Sequence, residues 1–262
     1  MSLSIVTWNV NSIKSRLHLL LPWLKETTPD VVLLQETKTV DDAFPRMEIE
    51  DLGYNIALFG QKTYNGVAIF SRLPLEDIRI GLPGDDSDME ARYIEAVVST
   101  KDGAVRVASA YVPNGQSPDS DKFQYKLRFL ARLKAHMQEL LKLEEAFVIG
   151  GDYNVAPAPI DVYDPASLDG TVCYHPLERE ALYSILHLGM YDAFRTLHPH
   201  KQTFSWWDYR SAGFETGKGL RIDHLLLSPQ ATDRLVSCEV LQNLRGLEKP
   251  SDHAPVICAL KM

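Results

Sequence analysis

Short apolar runs typical of strands recur along the whole chain, separated by polar segments. The clearest lie at residues 5–8, 31–34, 67–70, 105–108, 147–149, 224–227 and 256–258, and they are rich in Val, Ile and Leu. Runs of this length bounded by turn-forming residues favour strands over helices. The pattern predicts a fold in which strands predominate.

Two stretches instead have the periodicity of a helix. Residues 121–143 carry a stripe of residues at i, i+3/i+4 spacing that is apolar except for Lys134. Residues 12–26 form the second stretch, in which Pro22 should end or kink the helix. Strands with intervening helices predict a layered α/β fold with packed sheets and outer helices. The first stripe comprises Phe123, Leu127, Leu130, Lys134, Met137 and Leu141.

Composition fits an ordinary globular protein. The chain has 262 residues, of which 45% are hydrophobic and 24% charged, and we expect residues 1–262 to form one domain. No apolar run approaches the roughly 20 residues that span a bilayer, and the N-terminus lacks the features of a signal peptide. Three cysteines, an odd number without metal-type spacing, predict reduced, buried thiols in a cytoplasmic protein without membrane contact.

The net charge of −8 alone argues against a nucleic-acid-binding protein, because phosphate contacts require Lys and Arg. A carboxylate-rich metal site would add negative charge that bound cations offset. The distribution of basic residues around a site therefore decides the question, and the net charge does not.

Polar side chains follow several predicted strands directly, where a rigid scaffold meets an open loop. Asn9 and Asn11 follow the first strand and Glu36 the second. Amide and carboxylate oxygens can bind a hard cation, and a carboxylate beside a buried strand is costly to desolvate unless it is paired. The alternatives are turn-forming asparagines and an exposed glutamate.

Three later segments add further polar groups. Asp152 and Asn154 follow a Gly150-Gly151 pair that permits close backbone approach, and Asp252 and His253 stand between two prolines. Tyr111 ends a strand before Pro113, and Asp223 could orient an imidazole, although a structural role is the main alternative for both residues. Carboxylates, amides, a His and a Tyr without a nucleophilic Ser or Cys motif indicate metal-assisted attack of water on a phosphodiester.

These segments resemble the exonuclease III family of abasic-site (AP) endonucleases in order and spacing, over residues 3–260. The resemblance rests on Asn9-Val10-Asn11, Gln35-Glu36-Thr37-Lys38, Tyr111-Val112-Pro113, Gly150-Gly151-Asp152-Tyr153-Asn154, Phe204-Ser205-Trp206-Trp207-Asp208-Tyr209-Arg210, Gly219-Leu220-Arg221-Ile222-Asp223 and Ser251-Asp252-His253-Ala254-Pro255. It implies a DNase I-like four-layer α/β sandwich, two packed mixed sheets flanked by helices. It also implies a monomeric enzyme using Mg²⁺ or Mn²⁺ on double-stranded DNA with abasic sites or blocked 3′ ends.

The resemblance also assigns site residues. Glu36 looks like the main metal ligand, Asp152 resembles the residue that activates water, and His253 would contact the phosphate, steadied by Asp223. It leaves open whether one or two metals act and whether Asp152 or the metal generates hydroxide. The full metal set is Asn9, Glu36, Asp152, Asn154, Asp252 and His253, and the catalytic set is Tyr111, Asp152, Asn154, Asp223 and His253.

Substrate contacts follow from the same resemblance. Trp206 and Trp207 resemble a pocket for a flipped-out deoxyribose, with core packing as the alternative. Candidate DNA contacts are Asn11, Tyr64, Arg72, Arg92, Asn114, Lys122, Lys126 and Arg210.

One segment departs from the family pattern. Residues 161–176 replace a loop that is basic in ordinary bacterial relatives, and they contain Asp161, Asp164 and Asp169 but no Lys or Arg. We expect this loop to favour 3′-end trimming over abasic-site incision, and Cys173 and His175 could obstruct the lesion pocket or merely pack against its rim.

Two alternatives remain at this stage. A non-catalytic relative would lack some of the carboxylates that are present here, and a small-molecule phosphodiesterase would lack the Trp206–Arg210 and Gly219–Asp223 segments. Both differences favour the DNA-repair enzyme.

Overall fold

A computed structural model describes residues 2–262. The strands are β1 (Ser2–Asn9), β2 (Val31–Gln35), β3 (Asn55–Phe59), β4 (Val67–Ser71), β5 (Leu75–Ile80), β6 (Tyr93–Thr100), β7 (Gly103–Tyr111), β8 (Phe147–Asp152), β9 (Tyr191–Asp192), β10 (Trp206–Trp207), β11 (Gly219–Leu220), β12 (Asp223–Leu227), β13 (Leu235–Val240) and β14 (Val256–Lys261). The α-helices are α1 (Ile13–Thr27), α2 (Arg46–Glu50), α3 (Asp121–Leu141), α4 (Pro165–Leu168), α5 (Pro176–Leu186), α6 (Ala193–Leu197) and α7 (Pro229–Thr232). Every strand-like run predicted from the sequence lies within one of these strands.

The strands form two mixed sheets of six strands each, in the orders β13-β14-β1-β2-β4-β3 and β5-β6-β7-β8-β12-β9. Each sheet has one parallel pair at its centre, β1 with β2 and β7 with β8, and its other neighbours are antiparallel.

The two sheets pack face to face, and helices cover their outer faces. The central core joins residues of both sheets, such as Ile5, Leu33, Val107 and Leu225, all at most 1% exposed. A second core lies between the β7–β8 sheet and helices α3 and α5, and a third lies between the β1–β2 sheet and helices α1 and α2. This four-layer arrangement confirms the predicted α/β sandwich of two packed sheets.

The two predicted helices are present with small changes. Helix α1 continues through Pro22 to Thr27, so the prediction that Pro22 ends it is wrong; Leu20 and Trp23 are buried on either side and hold the helix on the sheet. The buried stripe of α3 lies beside the predicted one: Leu127, Lys134 and Leu141 flank it half-buried. The stripe itself is Phe123, Lys126, Phe129, Leu130, Leu133, His136, Met137 and Leu140.

One edge of the sandwich collects the ends of the central strands. Asn9 ends β1 beside Gln35 at the end of β2, and Tyr111 ends β7 beside Asp152. Asp152 in turn pairs with Asp223, the first residue of the antiparallel strand β12. The sequence motifs with polar side chains therefore meet at a single edge.

The glycine pair before Asp152 allows this close approach. A Cβ atom at Gly150 would lie 2.7 Å from a methyl group of Leu33 in the opposite sheet, and one at Gly151 would lie 2.0 Å from the carbonyl oxygen of Ala110. A side chain at Gly150 would press on the opposite sheet, and one at Gly151 would press on the neighbouring strand β7, so the glycines set the position of Asp152 relative to both.

Two further findings concern the cysteines and the helices. Cys173, Cys238 and Cys258 are free and buried. Within residues 2–262, none of the helices has both the length and the apolar character needed to cross a bilayer.

Candidate active site

Glu36, Asp152 and His253 form the centre of the site. One ligand atom from each lies within 4.8 Å of the other two. They come from the loop after β2, the end of β8 and the segment before β14, which the sheet topology brings to one edge. Two carboxylates and an imidazole at this spacing can hold a metal ion.

Glu36 lies at the mouth of the centre, between an amide and an ammonium group. Asn9 Nδ2 donates to Glu36 Oε1 at 2.7 Å, and Lys38 Nζ lies 2.7 Å from Glu36 Oε2. Burial acts to raise the pKa of Glu36, but Lys38 and the Asn9 hydrogen bond outweigh it and lower that pKa. Glu36 is therefore an anion at neutral pH.

Asp152 is 1% exposed. Its Oδ2 atom accepts hydrogen bonds from Asn9 Nδ2 at 3.0 Å and from Asn154 Nδ2 at 3.2 Å. Burial, reinforced by the charges of Asp223 and Glu36 and opposed by His253, raises the pKa of Asp152 to about 7. A carboxylate of this pKa can exchange a proton near neutral pH.

His253 stands between two carboxylates. Its Nδ1 atom lies 2.9 Å from Asp223 Oδ2, and its Nε2 atom lies 3.7 Å from Asp152 Oδ2. Ser205 Oγ donates to Asp223 Oδ2 at 2.6 Å and holds that carboxylate in place. Burial opposes the charged imidazolium, but Asp223 and Asp152 outweigh it and raise the pKa of His253 to about 10. A protonated ring directs one N–H at Asp223 and the other into the site.

Tyr111 borders the centre with its phenol group protonated. Burial and the charges of Glu36 and Asp152 raise the pKa of Tyr111 well above its ordinary value. The Arg92 guanidinium lies over the Tyr111 ring, 4.8 Å from its centroid. The stacking limits the movement of the ring, and the neutral hydroxyl remains a hydrogen-bond donor.

Asn154 and Asn114 connect two loops beside Asp152. Asn154 adopts the left-handed conformation (φ 51°), and its main-chain N–H donates to Asp152 Oδ1 at 2.9 Å. Its amide Nδ2 donates to Val112 O and Asp152 Oδ2, and its Oδ1 accepts from Asn114 Nδ2 at 3.0 Å. These contacts orient Asp152, and the assignment of Asn154 as a metal ligand stays a prediction.

Two other predicted metal ligands have different contacts. Asn9 Oδ1 accepts the main-chain N–H of Asn11, so Asn9 serves Glu36 and Asp152 as a donor. Asp252 accepts from Asn11 Nδ2 at 2.9 Å and from the Trp206 indole N–H at 3.1 Å. Both oxygens of Asp252 are thereby engaged, and Asp252 orients Trp206.

A pocket of about 480 Å³ opens directly onto the centre. One wall is polar and carries Asp152, Asn154, Asp252 and His253, and the Arg210 side chain also lines the pocket. A second group of lining side chains, the apolar wall, consists of Leu168, Val172, Cys173, Trp206, Leu220 and Ile222. Burial raises the pKa of Cys173 to about 12, so this thiol is neutral and unsuited to act as a nucleophile.

A second pocket of about 460 Å³ adjoins the first one at Glu36, Tyr111 and Asn114. Its lining includes four of the predicted DNA contacts, Tyr64, Arg92, Asn114 and Lys122, together with Lys38. The site therefore forms one continuous cleft with cations at one end and an apolar wall at the other.

Three predicted substrate contacts lie elsewhere. Trp207 is 3% exposed and packs on Phe214, so only Trp206 of the aromatic pair lines the pocket. Lys126 is fully buried and paired with Glu178. Arg72 follows the end of β4, and its main-chain N–H donates to the main-chain oxygen of Asp30, just before β2. This position lies at the edge of the sheet opposite the active site. The sequence does not distinguish exposed cations from buried ones.

The loop at residues 161–176 is less acidic at its surface than its sequence suggests. Asp161 is fully buried and pairs with Arg221 at 2.6 Å. Asp164 caps helix α4 through Ser167 N, and Asp169 lies 3.0 Å from Arg179.

The two loop residues that could obstruct the pocket differ from each other. Cys173 lines the pocket wall. His175 caps helix α5 and packs on Phe123 with ring centroids 5.0 Å apart, as the alternative expected.

Lys38 and Ser205 were not predicted as site residues, although both lie in motifs that carry the family resemblance. Lys38 pairs with Glu36 and donates to Asn11 Oδ1 at 2.6 Å, and Ser205 holds Asp223. A lysine two residues after a candidate ligand was a usable signal. Ser205, by contrast, acts across the fold and left no local signal.

Comparisons with known proteins agree with this geometry. Residues 6–253 match the model of the Endonuclease/Exonuclease/phosphatase family. Exodeoxyribonuclease III of Haemophilus influenzae is 35% identical over 267 residues, covering 99% of this chain and 100% of that protein.

Two solved structures are also similar. An AP endonuclease from Archaeoglobus fulgidus is 40% identical with a TM-score of 0.93, and the match covers 99% of this chain and 100% of that one. A 3′ phosphatase from Neisseria, NExo, bound to a product DNA hairpin, is 39% identical with a TM-score of 0.96 and the same coverage.

Proposed function

Because the chain belongs to the Endonuclease/Exonuclease/phosphatase family, we propose that it is a DNA-repair nuclease that hydrolyses phosphodiester bonds with a divalent cation. We assign it two activities, removal of blocked or terminal groups at 3′ ends and incision at abasic sites. The observation that carries the proposal is the Glu36–Asp152–His253 centre, which lines a pocket of about 480 Å³ that also has an apolar wall. The exodeoxyribonuclease III and NExo relatives support DNA as the substrate.

Glu36 and Asp152 fit a hard divalent cation, Mg²⁺ or Mn²⁺, because carboxylate oxygens are the ligands such ions prefer. Asp152 also has a raised pKa, which a cation beside it would lower by offsetting the negative charge of Glu36. A cation bound there would supply positive charge against the phosphate oxygens and favour deprotonation of water. His253 is the third member of the cluster. Because Asp223 holds its Nδ1 atom, we assign His253 to contact with the phosphate and not to binding of the metal.

Asp152 would accept the proton of the attacking water. Its Oδ1 atom is held by Asn154 N and its Oδ2 atom by Asn9 Nδ2, so its orientation is fixed before substrate binds. Fixed orientation removes a reorganisation cost at the moment of reaction.

His253 and Tyr111 would donate to the oxygens of the scissile phosphate. The imidazolium carries a positive charge where negative charge develops, and the phenol adds a neutral donor on the other side. Asn154 has both N–H groups engaged by Val112 and Asp152, so we assign it the orientation of Asp152.

The apolar wall would select the sugar. Trp206, Leu220 and Ile222 can pack against a deoxyribose that has no base or that ends a strand. An abasic or frayed terminal nucleotide is also the cheapest to bring out of the duplex, because no base pair must be broken. The cations of the adjoining pocket, Arg92, Lys122 and Lys38, would contact the neighbouring backbone.

The test is an assay that compares three labelled duplexes, one with an internal abasic site, one with a 3′ phosphate and one undamaged. We expect product from the first two that requires added Mg²⁺ or Mn²⁺. Absence of product from all three would overturn the proposal.

A further inference from the structure

Lys126 is a buried cation close behind the active site. It lies in the first half of helix α3, is fully buried and is ion-paired to Glu178, which is fully buried as well. Removing two charges from water costs more than such a pair usually returns in stability.

The ammonium group uses all of its donors. It donates to Glu178 Oε1, to the main-chain oxygen of Asn154 at 2.7 Å and to the main-chain oxygen of Asn114 at 3.1 Å. An ammonium has three N–H groups, so none is left for a substrate.

The two carbonyls belong to the turns that flank Asp152. Asn154 holds Asp152 through its main-chain N–H and its amide, and its Oδ1 accepts from Asn114 Nδ2. Asn154 adopts a positive φ of 51°, a conformation that its surroundings must maintain. Lys126 thus binds the backbones of the same two residues whose side chains bind each other.

Glu178 extends the arrangement to the pocket wall. Its Oε2 atom accepts the main-chain N–H of His175 at 2.9 Å, at the start of helix α5. The residue two positions earlier, Cys173, belongs to the apolar wall. One buried pair therefore contacts both turns beside Asp152 and the end of the loop that closes the pocket.

We propose that Lys126 is a positioning residue of the active site. Its ammonium group fixes the carbonyls of Asn114 and Asn154, so that Asn154 keeps Asp152 in its proton-accepting orientation, and Glu178 offsets the charge. The kinetic part of this inference rests on the proposed nuclease function.

The test uses three variants with separate effects. Lys126→Met keeps the stem but leaves Glu178 charged, buried and unpaired. Glu178→Gln keeps the amine, which has at least two N–H groups and can still serve both carbonyls. The double variant Lys126→Met/Glu178→Gln removes both charges and leaves only the two carbonyls without their donor.

We expect the double variant to regain much of the Tm that Lys126→Met loses, yet to keep a low kcat. Displacement of a catalytic group by about 1 Å can lower the reaction rate by up to ~100-fold. The expected fall in kcat is therefore about 10- to 100-fold with little change in KM, measured well below the Tm, whereas Glu178→Gln keeps a kcat close to that of the wild type. A double variant with wild-type kcat, or a Glu178→Gln variant with an equal loss, would overturn the proposal.

Glu95→Gln is the matched control. Glu95 is 1% exposed and is bonded to His136, ten residues after Lys126 and so about 15 Å farther along α3. We expect Glu95→Gln to lower the Tm without lowering kcat, and a fall in kcat that followed Tm in all variants would refute a positioning role.

Amide chemical shifts at residues 114–116 and 153–156 give a readout that needs no activity. Changes there in the double variant but not in Glu178→Gln support the proposal, and unchanged shifts contradict it. If the wild type cleaves none of the DNA substrates, the nuclease function fails while this second readout still decides the role of Lys126.

Discussion

His253 Nδ1 lies 2.9 Å from Asp223 Oδ2, and the contact turns the other ring nitrogen toward the catalytic centre. Asp223 is the first residue of β12 and is held by Ser205, so the ring is oriented from a rigid sheet. The same carboxylate favours the protonated ring, which gives His253 the charge suited to a phosphate oxygen.

Asp223→Ala should therefore impair the enzyme without removing any group that touches substrate. Loss of a carboxylate that orients a histidine typically costs about 10- to 100-fold in activity. We expect a fall of this size in kcat on the 3′-phosphate duplex. Ser205→Ala removes only the contact that holds Asp223. Its kcat should lie between those of Asp223→Ala and the wild type. Wild-type kcat in Asp223→Ala would show that His253 does not depend on Asp223.

Asp152→Asn should lower kcat with little loss of DNA affinity. The amide keeps the shape of the side chain but cannot accept the proton, and general-base catalysis contributes about 10²- to 10⁴-fold. Single-turnover cleavage and fluorescence anisotropy with the same hairpin DNA measure the two effects separately. If most of the turnover survived, Asp152 would not be the group that activates water.

The Asp164→Lys/Asp169→Lys variant should raise the ratio of abasic-site incision to 3′-end trimming. Two added cations near the phosphate backbone should increase the affinity for duplex DNA with an internal abasic site, and the salt dependence of DNA binding should steepen. Asp164 also caps α4, so an Asp164→Asn/Asp169→Asn variant, which retains capping ability, is the control. An unchanged ratio in the Lys variant would mean that the loop charge does not set the preference.

Asp192→Asn should destabilise the fold at neutral pH. Burial acts to raise the pKa of Asp192, but Arg221 and His224 outweigh it and hold that pKa well below its usual range. A lowered pKa in the folded state stabilises the protein above the unfolded value of about 3.9, and the stabilisation is lost as the pH falls below it. Breaking a buried pair costs about 3–5 kcal/mol, so urea unfolding should show a loss of this order at pH 7.

The difference in free energy of unfolding between Asp192→Asn and the wild type should then narrow as the pH is lowered below about 4. A difference that stays constant across this range would contradict the assignment of the stabilising charge to Asp192.

The sequence predicted the central strands because they are buried on both faces and read as continuous apolar runs. It missed β5 and β13, whose residues at the sheet edges are largely exposed and mix charges with apolar positions. It also missed β3 and β6. An exposed edge strand has no buried face to impose a hydrophobic pattern, and so its position depends on the neighbouring strand.

The site was predictable where one short motif carries the polar group, as at Glu36, Asp152 and His253. Trp207 and Lys126, both candidate substrate contacts, lie away from the cleft because adjacent or nearby residues can face opposite sides of the backbone. Trp206 lines the pocket while Trp207 enters the core, and α3 turns Lys126 inward but leaves Lys122 exposed. Burial of a single cation depends on a distant partner, here Glu178, which periodicity does not reveal.

The most direct test of the account is the dependence of DNA cleavage on a divalent cation. Wild-type protein treated with EDTA and freed of metal is incubated with the 3′-phosphate and abasic duplexes, with and without added Mg²⁺ or Mn²⁺. Because Glu36 and Asp152 bring two carboxylate oxygens within 4.8 Å of each other, we expect no product without a cation and restored product with either one. Full cleavage in EDTA would contradict the metal-dependent mechanism.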